Sequence, residues 1–250
     1  MMYRMIAKFV AMKYVELPLS ADDFALDKNV ALEKIQQTQP DIIFLAYPNN
    51  PTGNHWERET IEAIIQAAPG LVILDEAYEP FAADSFLNDL EQFPNLLVMR
   101  TLSKLGMAGL RLGYLVGSSA WINELDKIRL PYNINSLTQA SVSFALKHHS
   151  IFKEQAEIIK ADRQTLSDNL REIPSIKVFP SNANFILFRT EKDKAGEIHQ
   201  QLKDAGILIK KLDGSHPMLK DCLRVTVGTK EENKQFLSSI RQQAVRIHIS

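Results

Sequence analysis

The sequence predicts an α/β fold: a large domain built on a mostly parallel sheet, followed by a smaller α+β unit. Three observations carry this. Short apolar runs alternate with helical patterns through the first two thirds of the chain. Polar clusters follow three of those runs, where the carboxyl ends of parallel strands would meet on one rim. A long helical stretch then separates this region from a second group of strands and helices.

In chain order, residues 14–17 form a weak strand candidate and residues 30–37 a helix with a charged face. Residues 42–46, 71–74, 96–99 and 112–116 are apolar runs short enough to be buried strands. Helical periodicity fills 58–67 and 120–129. Such alternation implies a sheet covered on both sides. From 135 to about 173 the pattern is helical, with a break near Ser150. Strands are then expected at 177–179, 184–188, 207–210 and 222–227, and helices at 194–205 and 231–244. The domains divide as 1–165 and 166–250. There is no internal repeat or Gly/Ser linker.

Composition narrows the function classes. A formal net charge of -1 gives no basic field for nucleic acid or anionic membrane. No apolar run approaches the roughly 18 residues of a membrane span. The one cysteine, Cys222, cannot form an internal disulfide and fits a reducing, cytoplasmic setting. His148 and His149 are not spaced as facing metal ligands, so no metal site is expected.

The chemistry-bearing residues cluster after strands. In Arg100-Thr101-Leu102-Ser103-Lys104-Leu105-Gly106-Met107-Ala108-Gly109-Leu110-Arg111, two hydroxyls, a lysine, two glycines and the closing Arg111 suit a phosphate held beside a nucleophilic amine. A solvated loop lysine and a surface arginine would look similar. Asp75 ends an apolar strand, where a carboxylate needs a cation or donors; a structural or capping aspartate is the plainer account. Leu71-Val72-Ile73-Leu74-Asp75-Glu76 also has the look of a nucleotide hydrolase. That enzyme needs a Gly-Lys pair in its phosphate loop, and the sequence has none. Tyr78 could place its hydroxyl beside whatever Asp75 contacts, or pack at a sheet edge. Asn50 lies in a turn set by Pro48, Pro51 and Gly53, which positions an amide well but serves a purely structural turn equally. Arg224 sits in an apolar strand, either paired with an anion or pointing to solvent on its face with Thr226.

Tyr47-Pro48-Asn49-Asn50-Pro51-Thr52-Gly53, Leu74-Asp75-Glu76-Ala77-Tyr78, Thr101-Leu102-Ser103-Lys104 and Gly109-Leu110-Arg111-Leu112-Gly113-Tyr114 together resemble the fold-type I pyridoxal-phosphate aminotransferases, above all the histidinol-phosphate aminotransferase family. Asn182-Ala183-Asn184-Phe185 and Leu223-Arg224-Val225-Thr226-Val227-Gly228 resemble that family's small domain. The resemblance implies that pyridoxal 5'-phosphate is the cofactor and that Lys104 binds it as a Schiff base and later shuttles a proton. It implies that Asp75 pairs with the pyridine nitrogen, and that Asn50 and Tyr78 donate to the phenolate oxygen. Thr101, Ser103 and Arg111 would hold the phosphate, and Arg224, with Asn50 and Asn184, would bind substrate. The implied reaction moves an amino group between histidinol phosphate and 2-oxoglutarate in histidine biosynthesis, in a cytoplasmic homodimer acting on small amino and 2-oxo acids.

The chain also departs from the family pattern. Members carry a further segment before the position matching Met1, with a phosphate loop and an aromatic residue that stacks on the cofactor ring. No glycine precedes Gly53, so no such loop can be placed. The expectation is a family member lacking its start. Two lost phosphate donors would weaken cofactor binding by roughly 3–6 kcal/mol. A non-catalytic remnant and a decarboxylase of a phosphorylated amino acid are the competing readings.

Overall fold

The computed structural model describes residues 2–247, with side chains to residue 242. Its first part is a four-stranded sheet of β1 (Ile42–Ala46), β2 (Leu71–Asp75), β3 (Leu96–Thr101) and β4 (Gly113–Gly117), in that spatial order. β1, β2 and β3 are parallel; β4 runs antiparallel at the edge. Helices α1 (Met2–Phe9), α2 (Lys28–Thr38) and α3 (Arg58–Ala67) belong to this part, and α4 (Ser119–Ile128) follows β4. Asp27 starts α2 by accepting from the Val30 amide at 2.9 Å, satisfying one of the otherwise orphaned first-turn donors.

Alternation along the strands sets the core. Ile43, Leu45, Val72 and Leu74 point to one face and bury against Ala31, Ile35, Ile61, Ile64 and Ile65 of α2 and α3. The other face is not covered as the alternation had implied. Ile42 and Phe44 are 39% and 42% exposed. Helix α1, absent from the predicted elements, reaches this face through Tyr3, whose ring stacks on Phe44 at 5.0 Å, yet α1 buries none of its own residues.

The predicted strand at 14–17 does not form; those residues are irregular, with Tyr14 and Val15 exposed. β-branched and aromatic residues favour a strand only where a neighbour pairs with it. The helical stretch after 135 is broken at His148, near Ser150 as expected, into α5 (Ser136–Lys147) and α6 (His149–Arg171). Asn135 caps α5 through the Thr138 amide at 2.9 Å.

The second sheet orders β5 (Lys177–Val178), β6 (Phe185–Arg189), β8 (Cys222–Thr226) and β7 (Lys210–Lys211), all antiparallel. The strand expected at 207–210 shrinks to β7, since Ile207 and Ile209 pack instead against the helical side of this sheet. That side is formed by α6, α7 (Ala195–Asp204) and α8 (Lys230–Ile247) over Ile186, Phe188, Leu223 and Val225. The opposite face buries Leu187 and Cys222 against Phe24 and Phe179. A small cluster of Tyr78, Phe81, Ala156, Ala183 and Phe185 joins the two sheets through α6. Among the described residues no helix is long and apolar enough to cross a membrane.

Candidate active site

The parallel register places Ala46 beside Asp75 and Asp75 beside Met99. The segments that follow β1, β2 and β3 therefore leave the sheet along one edge, as the sequence predicted, and each brings a different functional group.

After β1, the turn at 47–53 is closed by Gly53 N to Asn49 O at 2.8 Å and by Asn49 Nδ2 to Thr52 Oγ1 at 2.6 Å. The peptide bonds before Pro48 and Pro51 are both cis. Gly53 has φ +82°, and a Cβ there would lie 2.7 Å from Ser181 Oγ. Only glycine accepts both the backbone angle and the approach. The Asn182 amide donates to Gly53 O at 2.7 Å, so the turn is docked on the loop before β6. Asn50 projects from it.

After β2 come Asp75 and Tyr78. Asp75 Oδ1 accepts from the Ala77 amide at 3.0 Å, and Asp75 Oδ2 accepts a short hydrogen bond from the Tyr3 hydroxyl. Tyr78 is buried, and its hydroxyl oxygen accepts from Asn50 Nδ2 at 3.2 Å. After β3, Lys104 sits in a short 3-10 turn, Ser103–Leu105, that ends at Gly106 with φ +83°. Its Nζ lies 4.9 Å from the centre of the Tyr78 ring.

From the second sheet come Phe185 and Arg224. Phe185 meets Tyr78 edge to face at 5.2 Å. The Arg224 guanidinium stacks over Phe185 at 4.5 Å and donates to Asn50 Oδ1 at 2.6 Å. Asn50, Tyr78, Phe185 and Arg224 thus close a ring of contacts beneath Lys104. Burial pushes the Arg224 pKa down, with the nearby Tyr78 opposing. Its Nε is buried without a partner. A buried donor left unpaired among the described residues costs about 1–3 kcal/mol, so an anion that reached this nitrogen would be held favourably. Asn184 precedes Phe185 and accepts from the Val227 amide through its backbone oxygen.

Three further candidates are arranged less uniformly. Thr101 and Ser103 are paired, with their hydroxyl oxygens 2.9 Å apart, and the Ser103 amide donates to Thr101 Oγ1 at 3.1 Å. Thr101 Oγ1 also lies 3.2 Å from Leu112 O; its single proton can serve one of these acceptors at a time. Arg111 is exposed, has φ +52°, and donates to Ala108 O at 3.3 Å. No hydrogen bond joins it to Thr101 or Ser103 among the described residues.

Sequence reasoning missed several supports. Tyr3 carries no local signal that would tie it to a residue 72 positions away. Phe185 reads as an ordinary core aromatic. Arg163 was legible: Ala156, Ile159, Leu166 and Leu170 form the apolar stripe of α6, and Arg163 falls on it. It clamps Phe81 O at 3.0 Å and Ala183 O at 2.8 Å, and burial pushes its pKa down. Glu76 is fully buried on the face opposite Asp75, held by Arg100, Ser85 and the Phe86 amide.

The family model described as aminotransferase class I and II matches residues 1–240. A histidinol-phosphate aminotransferase of Chromobacterium violaceum is 52% identical over 241 residues, 96% of this chain and 67% of the relative. Histidinol-phosphate aminotransferase 2 of Nitrosococcus oceani is 52% identical over 240 residues, 96% of this chain and 66% of the relative. The chain therefore spans about two thirds of the length of these relatives. Among solved structures, the histidinol-phosphate aminotransferase of Clostridium acetobutylicum superposes with a TM-score of 0.89 at 24% identity, covering 98% of this chain and 75% of that one. The Sinorhizobium meliloti enzyme, in complex with pyridoxal-5'-phosphate, gives 0.86 at 27% identity over 98% of this chain and 68% of that one. With a family match over nearly its whole length, and an amine, an acid and a half-buried guanidinium arranged around one sheet edge, the chain belongs to the class I and II aminotransferases.

Proposed function

We propose that the chain catalyses pyridoxal-phosphate-dependent amino transfer between histidinol phosphate and 2-oxoglutarate, as the names of its relatives suggest. The observation that carries this reading is the contact ring of Asn50, Tyr78, Phe185 and Arg224 under Lys104, with an unpartnered buried nitrogen on Arg224. The residues fit the cofactor by chemistry. Lys104 offers an amine for its aldehyde, Asp75 an acceptor for a protonated ring nitrogen, and Thr101 and Ser103 adjacent hydroxyls for its phosphate. When bound, the cofactor supplies an electron sink for the pair left on the substrate Cα when its proton departs.

The chain's own residues do the rest. Lys104 Nζ would hold the cofactor, and its amine would take the substrate Cα proton and return it. Asp75 holds positive charge on the ring nitrogen. Asn50 Nδ2 and the Tyr78 hydroxyl would hold the cofactor's phenolate oxygen. Arg111 joins Thr101 and Ser103 at the phosphate, which requires its exposed side chain to leave Ala108 O. Arg224 binds the substrate carboxylate, with Asn50 and Asn184 lining the same space. We assign residues 1–165 to the cofactor-binding domain and 166–250 to the small domain. Exposed Ile128, Leu130, Tyr132, Leu137 and Phe144 support a homodimer, and the single free cysteine supports a cytoplasmic setting.

The test is borohydride reduction after incubation with pyridoxal phosphate, peptide mapping, and then an amino-transfer assay with histidinol phosphate and 2-oxoglutarate. Label on Lys104 with transfer is the expected result. Label without transfer would leave a cofactor-binding remnant, and carbon dioxide release from threonine phosphate would make the chain a decarboxylase. No label at saturating cofactor overturns the reading.

A further inference from the structure

We infer that Tyr3, in the first turn of α1, is a positioning residue for Asp75, and that its hydroxyl fixes the carboxylate that faces the ring nitrogen of the cofactor. The inference rests on the assignment of Asp75 made above.

Tyr3 donates to Asp75 Oδ2, while the Ala77 amide donates to Oδ1 at 3.0 Å. Each carboxylate oxygen is therefore tied to one fixed donor, and the side chain cannot rotate about its terminal bond without losing both. A carboxylate has about four lone-pair sites. Two are taken by these donors, and the others remain for a cation. Tyr3 is itself fixed, since its ring stacks on Phe44 at 5.0 Å with the planes 21° apart. Phe44 and Ala46 share a face of β1, and Ala46 is the register partner of Asp75. The stack therefore sets the height at which the phenol meets the acid. Desolvation of the half-buried Tyr3 raises its pKa far above the ordinary value, and the charge and hydrogen bond of Asp75 raise it further. Tyr3 stays a donor throughout the range in which proteins fold. Asp75 must then be the acceptor, which is the role that holding a pyridinium requires.

A second account gives Tyr3 the opposite effect, with the phenol occupying the place of the ring nitrogen and competing with the cofactor. The two differ in sign. Tyr3→Phe keeps the ring on Phe44 and removes only the hydroxyl. Binding is read as the borohydride-trapped fraction of Lys104 against concentration, for pyridoxal phosphate and for the analogue in which C–H replaces the ring nitrogen. Wild type should prefer pyridoxal phosphate. Tyr3→Phe should raise its half-trapping concentration about tenfold, the loss of one hydrogen bond to a charged group. The analogue's value should not move. A far-ultraviolet circular dichroism spectrum and melting temperature matching wild type show that Tyr3→Phe reports the hydroxyl alone.

An equal shift with both ligands would reduce Tyr3 to a packing role and overturn the inference. So would no shift, or tighter binding of pyridoxal phosphate by Tyr3→Phe. Failure of the underlying assignment looks different: wild type would then trap no label on Lys104, or would not distinguish the two ligands at all.

Discussion

Glu76→Gln should destabilise the chain severely although it changes one oxygen to nitrogen. Glu76 has no exposed surface. Its Oε1 accepts from the Phe86 amide at 2.7 Å and Oε2 from Arg100 Nε at 3.0 Å and Arg100 Nη2 at 2.8 Å, while Ser85 Oγ, 2.9 Å from Oε2 and 3.1 Å from Oε1, shares its one proton between them. An amide nitrogen placed at Oε2 points donors at the guanidinium; placed at Oε1 it points them at the Phe86 N–H. Neither orientation satisfies the site. Arg100, with 11% of its side chain exposed, would keep only Glu79 at 3.3 Å as a counter-charge. Breaking one partner of a buried pair costs about 3–5 kcal/mol. For a chain of this size that lowers the melting temperature by roughly 6–20 °C. Thermal and urea unfolding followed by circular dichroism would measure it. In a double-mutant cycle with Arg100→Met the two losses should be far from additive. A loss under about 1 kcal/mol, or additive losses, would refute the claim that this network ties the ends of β2 and β3.

Four other outcomes are expected. Lys104→Ala should abolish borohydride trapping while leaving the unfolding transition in place; trapping on another lysine would count against its role. Arg224→Ala should raise KM for anionic substrates about ten- to a hundredfold with a smaller effect on kcat, checked by steady-state kinetics. Gly53→Ala, facing both positive φ and Ser181 Oγ at 2.7 Å, should cost about 1–3 kcal/mol in denaturant melts and weaken the Asn50 contacts. His55 is stacked on Tyr47 at 4.0 Å with a buried, unpartnered Nε2; burial lowers its pKa from 6.5 to about 4, with Asp84 opposing and Arg163 adding to the fall. The folded state thus favours neutral His55, so stability present above pH 6.5 is lost as pH falls towards 4. His55→Phe should flatten that limb of the stability–pH profile, and an unchanged slope would exclude His55 as its source.

The sequence by itself determined the alternation of strands and helices in the first half, and with it the edge on which the site stands. Parallel strands with apolar interiors must release their chains at the same end, so Asn50, Asp75 and Lys104 were bound to converge once residues 42–46, 71–74 and 96–99 were read as strands. Local chemistry also showed in Gly53, whose place after Asn-Pro-Thr foretold a tight turn. Only the tertiary structure decided which groups touch. Arg224 reaches Asn50 across 174 residues, Arg163 reaches Phe81 across 82, and Tyr3 reaches Asp75 across 72. No periodicity encodes such pairs, because each depends on how two separately packed elements are set against each other. The same limit explains residues 14–17: their side chains suit a strand, but a strand exists only where another backbone offers hydrogen bonds, and that is a property of the fold rather than of the segment.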